Sequence, residues 1–491
     1  MTNGVQPYAV ALAERANARG RVAIYAGAGI SLAQPTGLPT GAALAQTICA
    51  KLRTAFPALN GVDSSDLTAV ADAVAALPNG EEALRETSAR SAEFRTAKPS
   101  YGHRMIAHLM LEGVVEVLTT NWDDCIERGG MPERLQAVTD ERSLARVTPP
   151  SVLKIHGCAS EPATLLVTTD HLQNPPRWAR EQTHARLGSA VVVFLGIGDV
   201  AGYVKQRIEE AIADVGDIGN IRVVSPSIVA RWEDSQWATV APALDDANRI
   251  AATSDQFMEQ FGAAYVHIIL NTHVTTLSGD PQVAPNIQAS VDALLATDAL
   301  SLLEWVRRAA VAPQQGESIL NAGTMAEALT ALGRLAGTSL AFKQRQAFET
   351  DEGPIEILVA TRGLPARRME QEAENRLHDY AARGEQHPRF LVAGGIGWAN
   401  RSASLPGDLL NDLDAADIVA AGPMSRSTCR PDTAMVARVC ACSSLRRCPS
   451  TSRPVTSSTT SRSTVDAWVL FARARRRSSA ASSSADEKTV E

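Results

Sequence analysis

Five stretches of the first 270 residues are predominantly apolar: 21–27 (RVAIYAG), 114–121 (VVEVLTTN), 151–157 (SVLKIHG), 190–198 (AVVVFLGIG) and 221–227 (IRVVSPS). Continuous β-branched runs of this length suit strands covered on both faces, as in a parallel sheet. Between them lie segments with helical spacing of apolar residues, among them 41–53, 99–113 and 201–214. Strand–helix alternation of this kind predicts a Rossmann-like, doubly wound α/β sheet. Residues 64–98 are helix-prone and read as a small helical insert, and the N-terminus reads as a short amphipathic helix. From about 285 to 345 the pattern becomes all-helical. Strand patterns return at 355–362 and 389–397 around a charged helix, which predicts a small C-terminal α/β module. The expected organisation is therefore a domain over 1–275, a helical region over 276–345, the module over 346–423 and a tail over 424–491.

Composition sharpens this picture at one point. The 491 residues hold 47 Lys and Arg against 54 Asp and Glu, a net charge of −7, which argues against a generally basic nucleic-acid coat. Aromatic residues make up only 4%, so the core must be built from Ala, Val, Leu and Ile. No apolar run approaches the ~20 residues of a membrane span, and the N-terminus lacks the apolar block of a signal peptide. The body holds three scattered cysteines, Cys49, Cys125 and Cys158, too few for a disulfide framework. A cytoplasmic location is expected.

Several strand ends carry chemistry-bearing residues. Gly27-Ala28-Gly29-Ile30-Ser31 follows the first strand, where glycines let backbone N–H groups approach a phosphate; a plain strand-to-helix turn reads equally well. The dinucleotide fingerprint GxGxxG is not met, because Leu32 stands at its third glycine. The Pro- and Gly-rich stretch 32–41 reads as a loop over a ligand. Asn121 and Asp123 follow the second strand, pointing into the crevice or capping the next helix. His156 ends the third strand, as a base or as a hydrogen-bonded structural histidine. Gly196 and Gly198 end the fourth strand, and Ser225 ends the fifth. One shared crevice accounts for this row better than five separate accidents.

In this order the elements GAGIS (27–31), GLP (37–39), PSYGH (99–103), TTNWD (119–123), IHG (155–157), GIG (196–198) and VVSP (223–226) resemble the sirtuin family over roughly residues 8–270. The resemblance implies that NAD is bound, with Gly27, Ala28, Gly29 and Ser31 at the diphosphate. It implies Asn121 and Asp123 at the nicotinamide ribose, His156 as general base, and Gly196, Gly198 and Ser225 towards the adenosine. Protein-deacylating sirtuins carry two CxxC pairs between the HG motif and the next strand end, whereas residues 158–195 hold Cys158 and no CxxC. Tetrahedral zinc needs four ligands, so no zinc is expected. The family's QN is Thr120-Asn121 here, and its phenylalanine–arginine pair is absent. This combination resembles the sirtuin-like NAD hydrolases of bacterial antiphage defence, which deplete NAD in abortive infection. A protein deacylase and a non-catalytic NAD or ADP-ribose-binding module stay open as alternatives. Unchecked NAD hydrolysis kills a cell, so gating is expected, by homo-oligomer assembly, a ligand, a partner ATPase or a nucleic-acid-sensing protein.

The tail is foreign to the rest. Residues 424–491 hold 12 Lys and Arg against 5 Asp and Glu, with 23 Ser and Thr, leaving the first 423 residues with a net charge of −14. It reads as a disordered basic arm or as a GC-rich gene translated out of frame after about Pro423. The second reading predicts that another frame of the gene continues a well-patterned globular sequence beyond that point. Sequencing the gene checks this, and the absence of such a frame rejects it.

Overall fold

The computed structural model describes residues 6–18, 22–187, 191–197, 206, 209–210, 220–279, 284–313, 318–320, 325, 329, 341–343, 346–350, 353–360, 366–385, 388–393 and 418–421. The chain divides into two compact units, Met1–Cys440 and Ala441–Glu491, and every described residue lies in the first. Gly198, most of the 201–214 helix, the glycine cluster 394–397 and the tail lie outside the described residues.

Seven parallel strands form the first sheet: β1 (Val22–Ala26), β2 (Val115–Thr119), β3 (Gln136–Val138), β4 (Ser151–Lys154), β5 (Val191–Leu195), β6 (Ile221–Val224) and β7 (Arg249–Ile250). Their order is β3-β4-β2-β1-β5-β6-β7. The five apolar runs supply β1, β2, β4, β5 and β6, and the short edge strands β3 and β7 were not expected. Because side chains alternate across a strand, each run feeds two cores. Ile24, Val117, Val152 and Val193 face one side with helices α1 (Pro7–Asn17) and α5 (Tyr101–Leu111) and the long helix Ser254–Leu277. Tyr25, Leu118, Leu153 and Phe194 face the other with Trp178 of helix Arg177–Leu187 and with Trp237. The sheet is thus doubly wound, and the chain reverses direction across it between β1 and β5, where open α/β sheets bind their ligands.

The helix-prone segment after β1 contributes α2 (Gly41–Leu52), α3 (Leu67–Ala75) and α4 (Gly80–Ala89). They share a third core with Phe94, Trp122, Cys125 and Leu165. This small helical layer therefore rests on the segment that follows β2. Trp122 is its contact, meeting Phe94 edge-on with centroids 5.9 Å apart.

A second sheet is mixed: β8 (Ala310–Val311), β9 (Ala341–Lys343), β10 (Gln346–Thr350), β11 (Gly353–Ala360), β12 (Arg389–Ala393) and β13 (Ile418–Ala421), with helix Ala366–Ala382 between β11 and β12. The all-helical expectation for 285–345 holds for helices Ala284–Leu295 and Ala299–Ala309, but β8 and β9 are strands. Both pair outward, β8 with β11 and β9 with β10. Such two- and three-residue strands carry no readable period of their own.

Glu112 ties these layers together. A carboxylate at the C-terminal end of α5 opposes the helix dipole and needs compensation. Its oxygens accept four hydrogen bonds, from Arg307 Nη2 (2.5 Å), Ser318 Oγ (2.7 Å), Ile319 N (3.1 Å) and Leu320 N (3.0 Å). Arg307 and Glu112 are both buried. Removing one partner of a buried pair strands the other's charge and costs about 3–5 kcal/mol. We expect Glu112→Ala to lose that much stability in urea denaturation; a loss below about 1 kcal/mol, the level of an exposed ion pair, would contradict it.

Candidate functional site

The crevice at the carboxyl ends of β1, β2, β4 and β5 gathers most of the residues singled out from the sequence. The GAGIS segment leaves β1 as a single 3-10 turn over Ala28–Ser31 and then runs as a loop to α2 at Gly41. Its glycines are required by close approach. A Cβ at Gly29 would lie 2.5 Å from the Gly196 carbonyl oxygen, and Gly196 itself has φ +67°, a conformation that favours glycine. The Gly27 and Gly29 N–H groups are already committed to the Leu195 and Gly196 oxygens, at 2.9 and 2.7 Å. These two glycines therefore shape the crevice floor, and their amides do not point outward. Ala28 is exposed at the turn.

Ser31 is the meeting point of the side chains. Its hydroxyl donates to Asp123 Oδ2 at 2.9 Å and accepts from Asn121 Nδ2 at 3.1 Å; His103 Nε2 lies 3.1 Å away. Because the Ser31 hydrogen goes to Asp123, Nε2 donates to Ser31; His103 Nδ1 lies 3.2 Å from the Ser100 nitrogen and 2.9 Å from its hydroxyl. With one donor and two acceptor sites, the Ser31 hydroxyl is then fully used. The chain continues outward: Ser100 Oγ donates to Asp255 Oδ1 at 2.8 Å, and the Gly102 N–H donates to the same oxygen at 2.7 Å. Burial holds the His103 imidazole below its ordinary pKa, with the Asp123 carboxylate opposing. Burial pushes the Asp123 carboxyl up, but His103, Lys154 and two hydrogen bonds outweigh it and hold the group below the usual range.

The alternatives for the residues after β2 are now resolved. Asp123 Oδ2 takes Ser31, and Oδ1 accepts the Cys125 N–H at 3.1 Å, although the N-cap of α6 (Cys125–Gly129) is Asp124. Asn121 caps nothing. Its N–H is held by Thr119 Oγ1 at 3.0 Å and its amide nitrogen by Ser31, while its amide oxygen is buried and has no hydrogen-bond partner. Ser31 leaves no choice of amide orientation, because its own hydrogen goes to Asp123.

His156 sits at the end of β4, and the Ile155 N–H donates to the Thr119 oxygen at 3.0 Å, so it neighbours the Asn121 segment. The residue is half-buried, and the surrounding protein desolvates the ring and lowers its pKa to about 3. The ring is therefore neutral at physiological pH, where a value near the operating pH would be expected of a free-standing base. Ser225 ends β6, two strands from β1, and its N–H bonds the Ile250 oxygen at 3.1 Å. It is on the same edge of the sheet but outside the hydrogen-bonded cluster.

Five contributors were not assigned from sequence. Thr119 joins β2 to β1 by donating to the Ala26 oxygen at 3.1 Å. Ser100 and His103 form a reciprocal cap at the start of α5, and Asp255 lies 155 residues from Ser100. The Ser-x-x-His spacing at a helix start was a usable signal for the first pair; nothing local marks Asp255. Lys154 is fully buried. A lysine inside an apolar strand was the signal there, since it demands a partner.

Among the described residues, one trio of metal-ligand types converges, His103, Asp123 and Cys125. It fits a cation poorly. Both His103 nitrogens are used, Arg128 Nη2 lies 3.7 Å from the Cys125 sulfur, and the Lys154 ammonium bonds the Asp123 main chain.

Residues 115–246, from β2 through β6, match the family model of the SIR2-like domain. The match includes Asn121, Asp123, His156, Gly196 and Ser225 and begins after the GAGIS turn. No curated protein sequence matches the chain. Two substituted forms of a Sir2 homologue in complex with ADP-ribose are similar at 14% and 13% identity, each over 52% of this chain and 96% of theirs, with TM-scores of 0.32 and 0.30. A Sir2 homologue–NAD complex is similar at 14% identity over 50% of this chain and 90% of its own, with a TM-score of 0.29. Among the described residues, no helix is long and apolar enough to cross a membrane.

The low pKa of His156 has a thermodynamic consequence. The unfolded chain takes up the proton near pH 6.5 and the folded chain only near 3. Stability is therefore intact above 6.5 and lost as pH falls between these values, by up to about 1.4 kcal/mol per pH unit from this group. Urea unfolding of the wild type and His156→Gln across this range checks the effect. The variant should show the shallower fall, and parallel curves would refute it.

Proposed function

We propose that this protein is an NAD glycohydrolase, cleaving NAD to nicotinamide and ADP-ribose. The observation that carries the reading is the Asn121 amide oxygen, a buried acceptor left without a partner beside a fully satisfied network. Such an atom costs about 1–3 kcal/mol unless a ligand or water supplies a donor. A ribose hydroxyl is a donor of the right kind, and the glycine-floored crevice between β1 and β5 is where an α/β sheet receives a nucleotide.

Nicotinamide leaves from a cationic bond and needs no proton, so the protein's work is to steady the positive ribose and place water. Asn121 positions the ribose hydroxyl or the attacking water. Asp123 contributes its negative charge, with Ser31 standing between the carboxylate and the ribose. Neutral His156 accepts a hydrogen bond from a hydroxyl or from water, and takes the proton once bound substrate offsets the desolvation around the ring. Ala28 and Ser31 line the diphosphate, and Gly196, Gly198 and Ser225 the adenosine half. The absence of CxxC between His156 and β5 supports water, rather than acyl-lysine, as acceptor. We further propose a zinc-free cytoplasmic enzyme that depletes NAD in antiphage defence. In this reading it is gated by homo-oligomer assembly, a ligand or a partner protein acting through 276–345 and the module at 346–423.

Incubating the intact chain with NAD, with and without an acetyl-lysine peptide, and measuring nicotinamide and ADP-ribose tests the reaction. Nicotinamide release should be independent of the peptide. Asn121→Ala and His156→Ala should each lower it by at least about a hundredfold while circular dichroism and melting show a retained fold. Full turnover in both variants, or release that requires the peptide, overturns the proposal.

A further inference from the structure

Lys154 has no part in the chemistry above, yet it is the most costly side chain near it. Its ammonium is fully buried at the end of β4, two residues before His156. Replacing a buried ion pair by apolar residues is often neutral or stabilising, so stability alone does not call for a lysine here. What an apolar side chain cannot do is bind a main-chain carbonyl. The Lys154 ammonium donates to the Asp123 carbonyl oxygen and lies 3.2 Å from Glu127 Oε1 on α6. Glu127 is itself buried.

These two contacts fall on either side of one joint. Upstream of the Asp123 carbonyl lies the extended segment bearing the Asn121 amide oxygen; downstream lies α6. The Asp123 side chain is held from another direction, by Ser31 and the Cys125 N–H. The lysine therefore holds the backbone of the residue whose carboxylate faces the crevice network.

We propose that Lys154 is a positioning residue of the site, its ammonium clamping the Asn121–Asp123 backbone to α6 and to the strand end that carries His156. The clamp fixes the backbone from which the Asn121 amide, with its buried and unpartnered oxygen, projects. Its catalytic consequence rests on the NAD hydrolase reading, but its structural consequence does not.

The test compares Glu127→Gln with Lys154→Met/Glu127→Gln, so that no buried carboxylate is stranded. Hydrogen exchange by mass spectrometry reads the Asn121, Asp124 and Cys125 amides, which bond Thr119 Oγ1, the Phe94 oxygen and Asp123 Oδ1. In the double variant these amides should exchange about tenfold faster, with the rest of the sheet unchanged. Nicotinamide release should lose about tenfold in kcat with little change in KM, the signature of lost positioning rather than lost binding. Unchanged exchange at these amides overturns the proposal whatever the protein does with NAD. Failure of the wild type to bind or cleave NAD overturns the hydrolase reading alone, and the exchange comparison still decides the role of Lys154. Should the methionine variant unfold, Lys154→Leu/Glu127→Gln carries the same comparison.

Discussion

The site depends on the valence of one hydroxyl. Ser31 can give one hydrogen and receive two, and all three places are taken, by Asp123, Asn121 and His103. The partners come from the segment after β2 and from α5, so a single buried oxygen joins three parts of the chain. In a low-dielectric interior each of these bonds is strong, and each would be expensive to leave unmade. The arrangement also has direction. Because Ser31 gives its hydrogen to Asp123, Asn121 must turn its nitrogen towards Ser31 and its oxygen away from it, and His103 must present a protonated Nε2. The burial that depresses the His103 pKa favours the neutral form of that ring.

The sheet supplies the frame for that junction. β1 pairs with β2 on one side and β5 on the other, so the turn after β1 can lean on both strand ends at once. Gly29 closes against Gly196 across the β1–β5 boundary, and Thr119 fastens the β2 end to Ala26. The floor is thus made of backbone packed on backbone, against which the polar side chains of Ser31, Asn121 and Asp123 hydrogen-bond to one another.

Much of this was legible in the sequence because the relevant signals are local. Continuous Val, Ile and Leu runs gave the central strands, and the glycine, Asn-Trp-Asp and His-Gly clusters gave their ends. The parts that escaped are set by distance or brevity. Asp255 and His103 reach the network from far along the chain, and β3, β7, β8 and β9 are too short for alternation to appear. The glycines illustrate a subtler gap. Their presence was informative, but whether their N–H groups face a ligand or a neighbouring strand depends on where Gly196 lies. The His156 pKa is of the same kind, fixed by how much protein surrounds the ring.

The anchoring of Glu112 changes how the chain can be divided. Helix α5 holds His103 in its first turn, and Glu112 follows its last residue. Glu112 takes its hydrogen bonds from Arg307 and from residues 318–320. A fragment cut near residue 275, beyond the seven-stranded sheet and inside helix Ser254–Leu277, would leave that carboxylate without its partners and expose the apolar surface on which helices Ala284–Leu295 and Ala299–Ala309 pack. The smallest piece that keeps the helix behind the site intact extends at least through Leu320, so the segment after the sheet is part of the site's support rather than an attachment to it.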